Sequence, residues 1–291
     1  MTVPARPTPL FADIADVSRR LAETGYLPDT ATATAVFLAD RLRKPLLVEG
    51  PARVGKTELA RAVAQATGSG LVRLQCYEGV DEARALYEWN HAKQILRIQA
   101  GSGDWEATKT DVFSEEFLLQ RPLLTAIRRT EPTVLLIDET DKADIEIEGL
   151  LLEVLSDFAV TVPELGTLTA TRAPFVLLTS NATRELSEAL KRRCLYLHID
   201  FPTPELERRI LLSRVPELPE HFAEELVRII GVLRGMQLKK VPSIAETIDW
   251  GRTVLALGLD TIDDAVVAAT LGVVLKHQSD QQRATGELRL N

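Results

Sequence analysis

The stretch KPLLVEGPARVGKTELARAVAQATG, residues 44–68, constrains the fold more than any other part of the chain. An apolar run reads as a short buried strand, a glycine-containing loop follows, and a helical pattern leaves the loop and stops at Gly68, a C-cap. LVRLQ, residues 71–75, reads as the next strand, so the segment predicts a βαβ unit and a parallel sheet. Within it, Gly50, four residues, Gly55, Lys56 and Thr57 match the phosphate-loop spacing G-x-x-x-x-G-K-[ST] in the strand-to-helix context the motif requires. Glycines let successive backbone N–H groups turn toward phosphate oxygens, and the helix N-terminus adds its positive dipole. Lys56 is predicted to reach the β and γ oxygens, and the Thr57 hydroxyl to ligate Mg²⁺. The predicted nucleotide-binding set runs through Gly50, Pro51, Ala52, Arg53, Val54, Gly55, Lys56, Thr57 and Glu58. Arg53 either splays outward or alters the flexibility of the loop.

Two further apolar runs end on polar residues. TVLLIDETDKAD places Asp138 and Glu139 at the carboxyl end of a strand over 134–137, facing the crevice where ligands of parallel sheets bind. Asp138 is predicted to hold Mg²⁺ through water, and Glu139 to polarise an attacking water. PFVLLTSN ends a third strand at Asn181, whose amide can orient that water and touch the γ-phosphate without adding charge.

Composition narrows the partners. The 291 residues carry a formal net charge of -8, a field that repels nucleic acid, and no basic, aromatic-interleaved stripe offsets it. The two cysteines, Cys76 and Cys194, lie far apart without metal-ligand spacing, so reduced thiols are expected. The N-terminus lacks the apolar core of a signal peptide, and the run Ala265–Leu275 is too short to span a bilayer, so the expected location is cytoplasmic.

GPARVGKT, LLIDETDKAD, LLTSN and ALKRRC together resemble the AAA+ ATPases, and more closely their MoxR group, over about residues 10–280. CYEGVDEARALYEWN, LLEVLSDFAVTVPELGT and TSNATRELSEALKRRC look like a MoxR subgroup encoded with maturation factors for molybdenum-copper carbon monoxide dehydrogenase. The resemblance implies a P-loop NTPase fold: an α/β core with a parallel sheet flanked by helices, and a small C-terminal helical lid. It further implies ATP and Mg²⁺ as cofactors, a homo-oligomeric ring with six subunits as the usual number, a protein client, and a partner with a von Willebrand factor A domain. In such rings a neighbour supplies an arginine finger from the helix after the third strand; Arg193 is the first choice here and Arg192 the second. The alternative on the same core is a nucleic-acid-dependent motor or loader.

The expected organisation is N-terminal helices over 1–42, the α/β core over 43–202 and a helical lid over 203–291. Hairpin insertions resembling those of the MoxR group are expected near 91–113, with an extended first arm and a turn at Gly101, Ser102 and Gly103, and near 159–171. Thr203 and Pro204 read as a helix start, and Ser243 with Glu246 as a capping box. The sensor-2 arginine common in MoxR lids is missing from the SIAET turn, and Arg252 lies two helical turns beyond it.

Overall fold

The computed structural model describes residues 8–100, 112–259 and 261–288. The chain divides into two compact units. One holds the chain up to Thr24, Pro28–Glu49 and Lys56–His198; the other holds Gly25–Leu27, Gly50–Gly55 and the chain from Ile199 onward.

Strands in the first unit, in chain order, are β1 (Leu46–Glu49), β2 (Gly70–Gln75), β3 (Tyr87–Trp89), β4 (Leu118–Gln120), β5 (Thr133–Asp138), β6 (Ala159–Val162), β7 (Gly166–Thr169), β8 (Phe175–Ser180) and β9 (Leu195–His198). Five of them form one parallel sheet in the order β2-β5-β8-β1-β9. Every residue of β5 and β8 is buried, which is why these segments read as continuous apolar runs with no alternation. Helix Lys56–Thr67 buries Leu59, Ala60, Ala62, Val63 and Ala64, and Gly68 ends it at a φ of 62°. A Leu47, Leu135, Ile137, Leu178, Leu151 cluster lies at the centre of the core, so the carboxyl ends of β5 and β8 stand on rigid supports.

The first helix runs Ile14–Glu23, and the Asp13 side chain caps its start by accepting the Asp16 N–H at 2.7 Å. A larger correction concerns the expected extended arm after residue 91: His91–Ala100 is a helix. The Asn90 side chain accepts the Lys93 N–H at 3.0 Å at its start, and most of its residues are strong helix formers. The turn expected at Gly101, Ser102 and Gly103 lies outside the described residues. β6 and β7 pair antiparallel as a hairpin.

The second unit contains helices Pro204–Arg214, Glu220–Gly235, Ile244–Ala256, Asp264–Val274 and Gln278–Glu287. Trp250, fully buried, fills its centre and donates its indole N–H to Thr270 at 2.8 Å. Beside it Glu207, 1% exposed, takes two hydrogen bonds from Arg234 at 2.5 and 2.8 Å and one from Thr247 at 2.6 Å. Thr203 accepts the Leu206 N–H at 3.3 Å, and Ser243 and Glu246 form a reciprocal capping box. Among the described residues no helix is long and apolar enough to cross a membrane.

Candidate functional site

Parallel strands present their carboxyl ends together, so the polar residues that end β5 and β8 meet the first turn of the helix that follows the phosphate loop. Lys56, 5% exposed, donates to Asn181 Oδ1 at 2.8 Å. Thr57 donates its hydroxyl hydrogen to Asp138 Oδ1 at 3.0 Å. Lys56, Thr57, Asp138 and Asn181 are thus brought together from segments as far apart as 125 positions. Burial lowers the Lys56 pKa below the usual lysine range, against the opposing pull of Asp141, Asp138, Glu139 and Glu49.

Glu139 follows Asp138 at a φ of 56°, a left-handed conformation uncommon for glutamate. The kink turns its carboxylate out of the strand, where Oε2 accepts from Gln75 Nε2 at 3.1 Å and pairs with Lys142 at 2.6 Å. Ala182, just after Asn181, has the same φ of 56°. Both strands that carry polar residues to the crevice therefore leave the sheet through a left-handed residue.

The phosphate loop belongs to the second unit up to Gly55. Gly50 has no substitute there: an added Cβ would lie 1.9 Å from the Ile199 carbonyl oxygen. Gly55 has a φ of 102° and Arg53 one of 63°. The Arg53 side chain forms a 2.7 Å ion pair with Glu246, itself 3% exposed and held by the N–H and hydroxyl of Ser243. Pro51 and Glu58 are half-buried, Ala52 is exposed and Val54 is buried.

Arg192 and Arg193 are exposed in the last turn of helix Glu188–Arg193 and bond none of the residues above; Arg193 donates to Ser156. Arg252 is exposed and pairs with Asp249 at 3.5 Å.

Four residues near the site were not singled out from the sequence. Thr179 donates to Asp138 Oδ1 at 2.5 Å and accepts the Glu139 N–H at 2.9 Å, tying β5 to β8 at their ends. Arg73 on β2 gives two hydrogen bonds to Asp138 Oδ2, from Nε at 3.0 Å and Nη2 at 2.5 Å. Gln75, also on β2, holds Glu139 as described. Asp141, 3% exposed, accepts the Thr183 N–H at 3.0 Å and the Thr183 hydroxyl at 2.5 Å; its Oδ1 is buried without a partner among the described residues. Burial pushes the Asp141 pKa up, but the bonds from Thr183, together with the backbone N–H groups of Asn181 and Asp141, outweigh it and hold the carboxyl below its usual range. The signal for Arg73 and Gln75 was a polar pair two positions apart in the carboxyl half of a strand; for Thr179 it was a hydroxyl near the end of an otherwise apolar run.

A cavity of ≈ 570 Å³ lies at the opposite edge of the sheet, lined in part by Pro45, Pro132, Arg172 and Phe175. It contains none of the predicted residues and sits at the strand starts, the edge that open parallel sheets do not use for ligands.

A parallel sheet of this order, with a phosphate loop between strand β1 and the helix that follows it, defines the P-loop NTPase class with the AAA fold. The profile of the AAA domain (dynein-related subfamily) matches residues 45–194, and the chain belongs to that family. It is 24% identical to the chaperone protein ClpB of Chlamydia pneumoniae over 243 residues, which is 78% of this chain and 26% of that protein. With ClpB 1 of Synechocystis it shares 27% identity over 236 residues, 76% of this chain and 23% of the relative. The chain thus spans about a quarter of the length of these curated relatives. Two solved mutant forms of RuvB from Thermotoga maritima superpose with TM-scores of 0.50 and 0.51, at 16% and 18% identity. They cover 98% and 90% of this chain and 74% and 70% of their own, a likeness of fold.

Proposed function

We propose that this chain hydrolyses ATP with Mg²⁺ in a ring of its own copies and uses the energy to remodel a protein client. The observation that carries the reading is the paired convergence of Lys56 on Asn181 and Thr57 on Asp138 at the strand ends. The oxygen set suits the ion: a hydroxyl and a carboxylate 3.0 Å apart are hard donors, and Mg²⁺ commonly takes one or two protein oxygens and fills its shell with water and phosphate. Thr57 and Asp138 would hold it; when bound, it would neutralise charge on the β and γ oxygens.

The chain's own residues take the remaining roles. The phosphate loop from Gly50 to Thr57 would cradle the phosphates through backbone N–H groups. Lys56 would exchange its bond to Asn181 for a phosphate oxygen, which frees the amide to orient water. Glu139, already turned out of the strand, would polarise that water. Arg193, or Arg192 beside it, would act on the site of a neighbouring copy; both are exposed, and Arg193 is restrained by one neutral partner.

Membership of the AAA family supports nucleotide use, and two relatives named as chaperones support a protein client over a nucleic acid, as does the acidic balance. The finer reading, a MoxR-type hexamer acting with a von Willebrand factor A partner in metalloenzyme maturation, rests on the motif resemblance. In that reading the β6–β7 hairpin would face the client.

The test is the ATPase rate per protomer against protein concentration, with mass measured by light scattering. The expected result is a rate that rises as a ring forms, loss of nucleotide binding in Lys56→Ala, and retained binding with hydrolysis reduced about 10²–10⁴-fold in Glu139→Gln. A full rate from a monomer, or wild-type turnover by Arg193→Ala and Arg192→Ala alike, would remove the ring and the finger from the reading.

A further inference from the structure

A carboxylate offers about four lone-pair sites. Asp138 has all four engaged: Oδ1 accepts from the hydroxyls of Thr57 and Thr179, and Oδ2 accepts two N–H groups of Arg73. A metal-bound water can therefore reach this carboxylate only when one of its donors leaves. Thr57 belongs to the first turn of a core-packed helix, and Thr179 lies in a strand buried at every position. Arg73 sits on β2, an edge strand of the sheet, and 45% of its side chain is in water. It is the donor whose departure strands the least, because its guanidinium is already half solvated and keeps Gln75 as a second partner.

We infer that Arg73 is a displaceable cation on Asp138, a positioning residue that competes with Mg²⁺ for the carboxylate and so sets how tightly the metal is held with nucleotide. With no metal bound, it keeps a buried carboxylate neutralised and aimed at Thr57. With Mg²⁺ and nucleotide bound, the Arg73 guanidinium would leave Oδ2, and Asp138 would have that oxygen free to accept from a metal-bound water. Nucleotide alone leaves Arg73 where it is. The inference rests on the nucleotide reading given above.

The experiment titrates Mn²⁺ into the full chain with ADP and follows the electron paramagnetic resonance of free Mn²⁺, so no turnover is needed. Arg73→Ala is expected to bind Mn²⁺ about tenfold more tightly than wild type, the effect of removing one competing charge near a buried carboxylate. Arg73→Lys keeps the charge but loses the two-pronged fork, and is expected to fall between the two. It also serves as the reading if Arg73→Ala does not give the cooperative melt of a folded chain. Metal binding equal to or weaker than wild type in the folded variants would overturn the inference and leave Arg73 as a structural clamp. If wild type binds no Mn²⁺ with ADP at all, the nucleotide reading itself fails, and this inference with it.

Discussion

Among the buried carboxylates held by an arginine, Glu207 and Asp138 form an instructive pair, because their arginines differ in what they could do next. In the helical unit Arg234 is 14% exposed, grips Glu207 with both prongs, donates to the Pro242 carbonyl at 2.9 Å and lies over the Phe201 ring at 4.6 Å. In the α/β unit Arg73 grips one oxygen of Asp138 and is 45% exposed. Both anions are nearly out of water, so both need their cation. The difference lies in the cation: one has nowhere else to go, whereas the other is half solvated before it leaves. A pair of the first kind organises a fold, and a pair of the second kind can exchange partners.

The largest expected effect tests the fixed pair. Arg234→Ala leaves Glu207 buried with Thr247 as its remaining donor and should cost about 3–5 kcal/mol of stability in urea unfolding. A loss below about 1 kcal/mol would erase the distinction between the pairs.

Alkaline pH should separate the two units next. Both cysteines lie in the α/β unit, where burial pushes the Cys76 and Cys194 thiols from 9.0 up to about 12; Asp138, Asp141 and Glu139 add to the shift at Cys76. The folded state therefore holds these protons more tightly than the unfolded chain. Their contribution is complete below pH 9.0 and is lost as pH rises toward about 12. Urea midpoints at pH 8 and pH 10.5 should show a smaller alkaline loss in Cys76→Ala than in wild type; equal losses would place the effect elsewhere.

Arg73→Ala should cost less than Arg234→Ala in the same urea measurement, about 1–3 kcal/mol, because its buried partner keeps two hydroxyl donors and its own side chain is half in water. A cost matching that of Arg234→Ala would mean that Arg73 is as fixed as Arg234. The smallest effect is expected at Arg53, 58% exposed and paired with Glu246. Arg53→Gly loses that pair but accepts the φ of 63° without a Cβ, so the net change should stay within about 1 kcal/mol.

Much of this architecture could be read from residue order. Fully buried strands announce themselves as unbroken apolar runs, and Asp138 and Asn181 stand out because each ends one. Caps at Thr203 and Ser243 were legible for a similar reason: their partners lie three residues away. Arg73 and Asp138 are 65 positions apart, and Arg53 and Glu246 are 193 apart, so no local pattern could join them. Helix His91–Ala100 was hidden differently. Ile95, Leu96 and Ile98 are exposed while Gln94 is buried, so the apolar residues do not trace a core-facing stripe that would mark a helix.

The left-handed backbone at Glu139 has a consequence for anyone who tries to improve this protein. Asparagine tolerates that conformation better than glutamate does, so Glu139→Asn should relax the chain at the end of β5 while deleting the carboxylate on which turnover is proposed to depend. A selection that rewards heat resistance alone would accept the substitution and return a sturdier chain without that carboxylate. Libraries built for thermostability should therefore hold position 139 fixed or score turnover alongside melting.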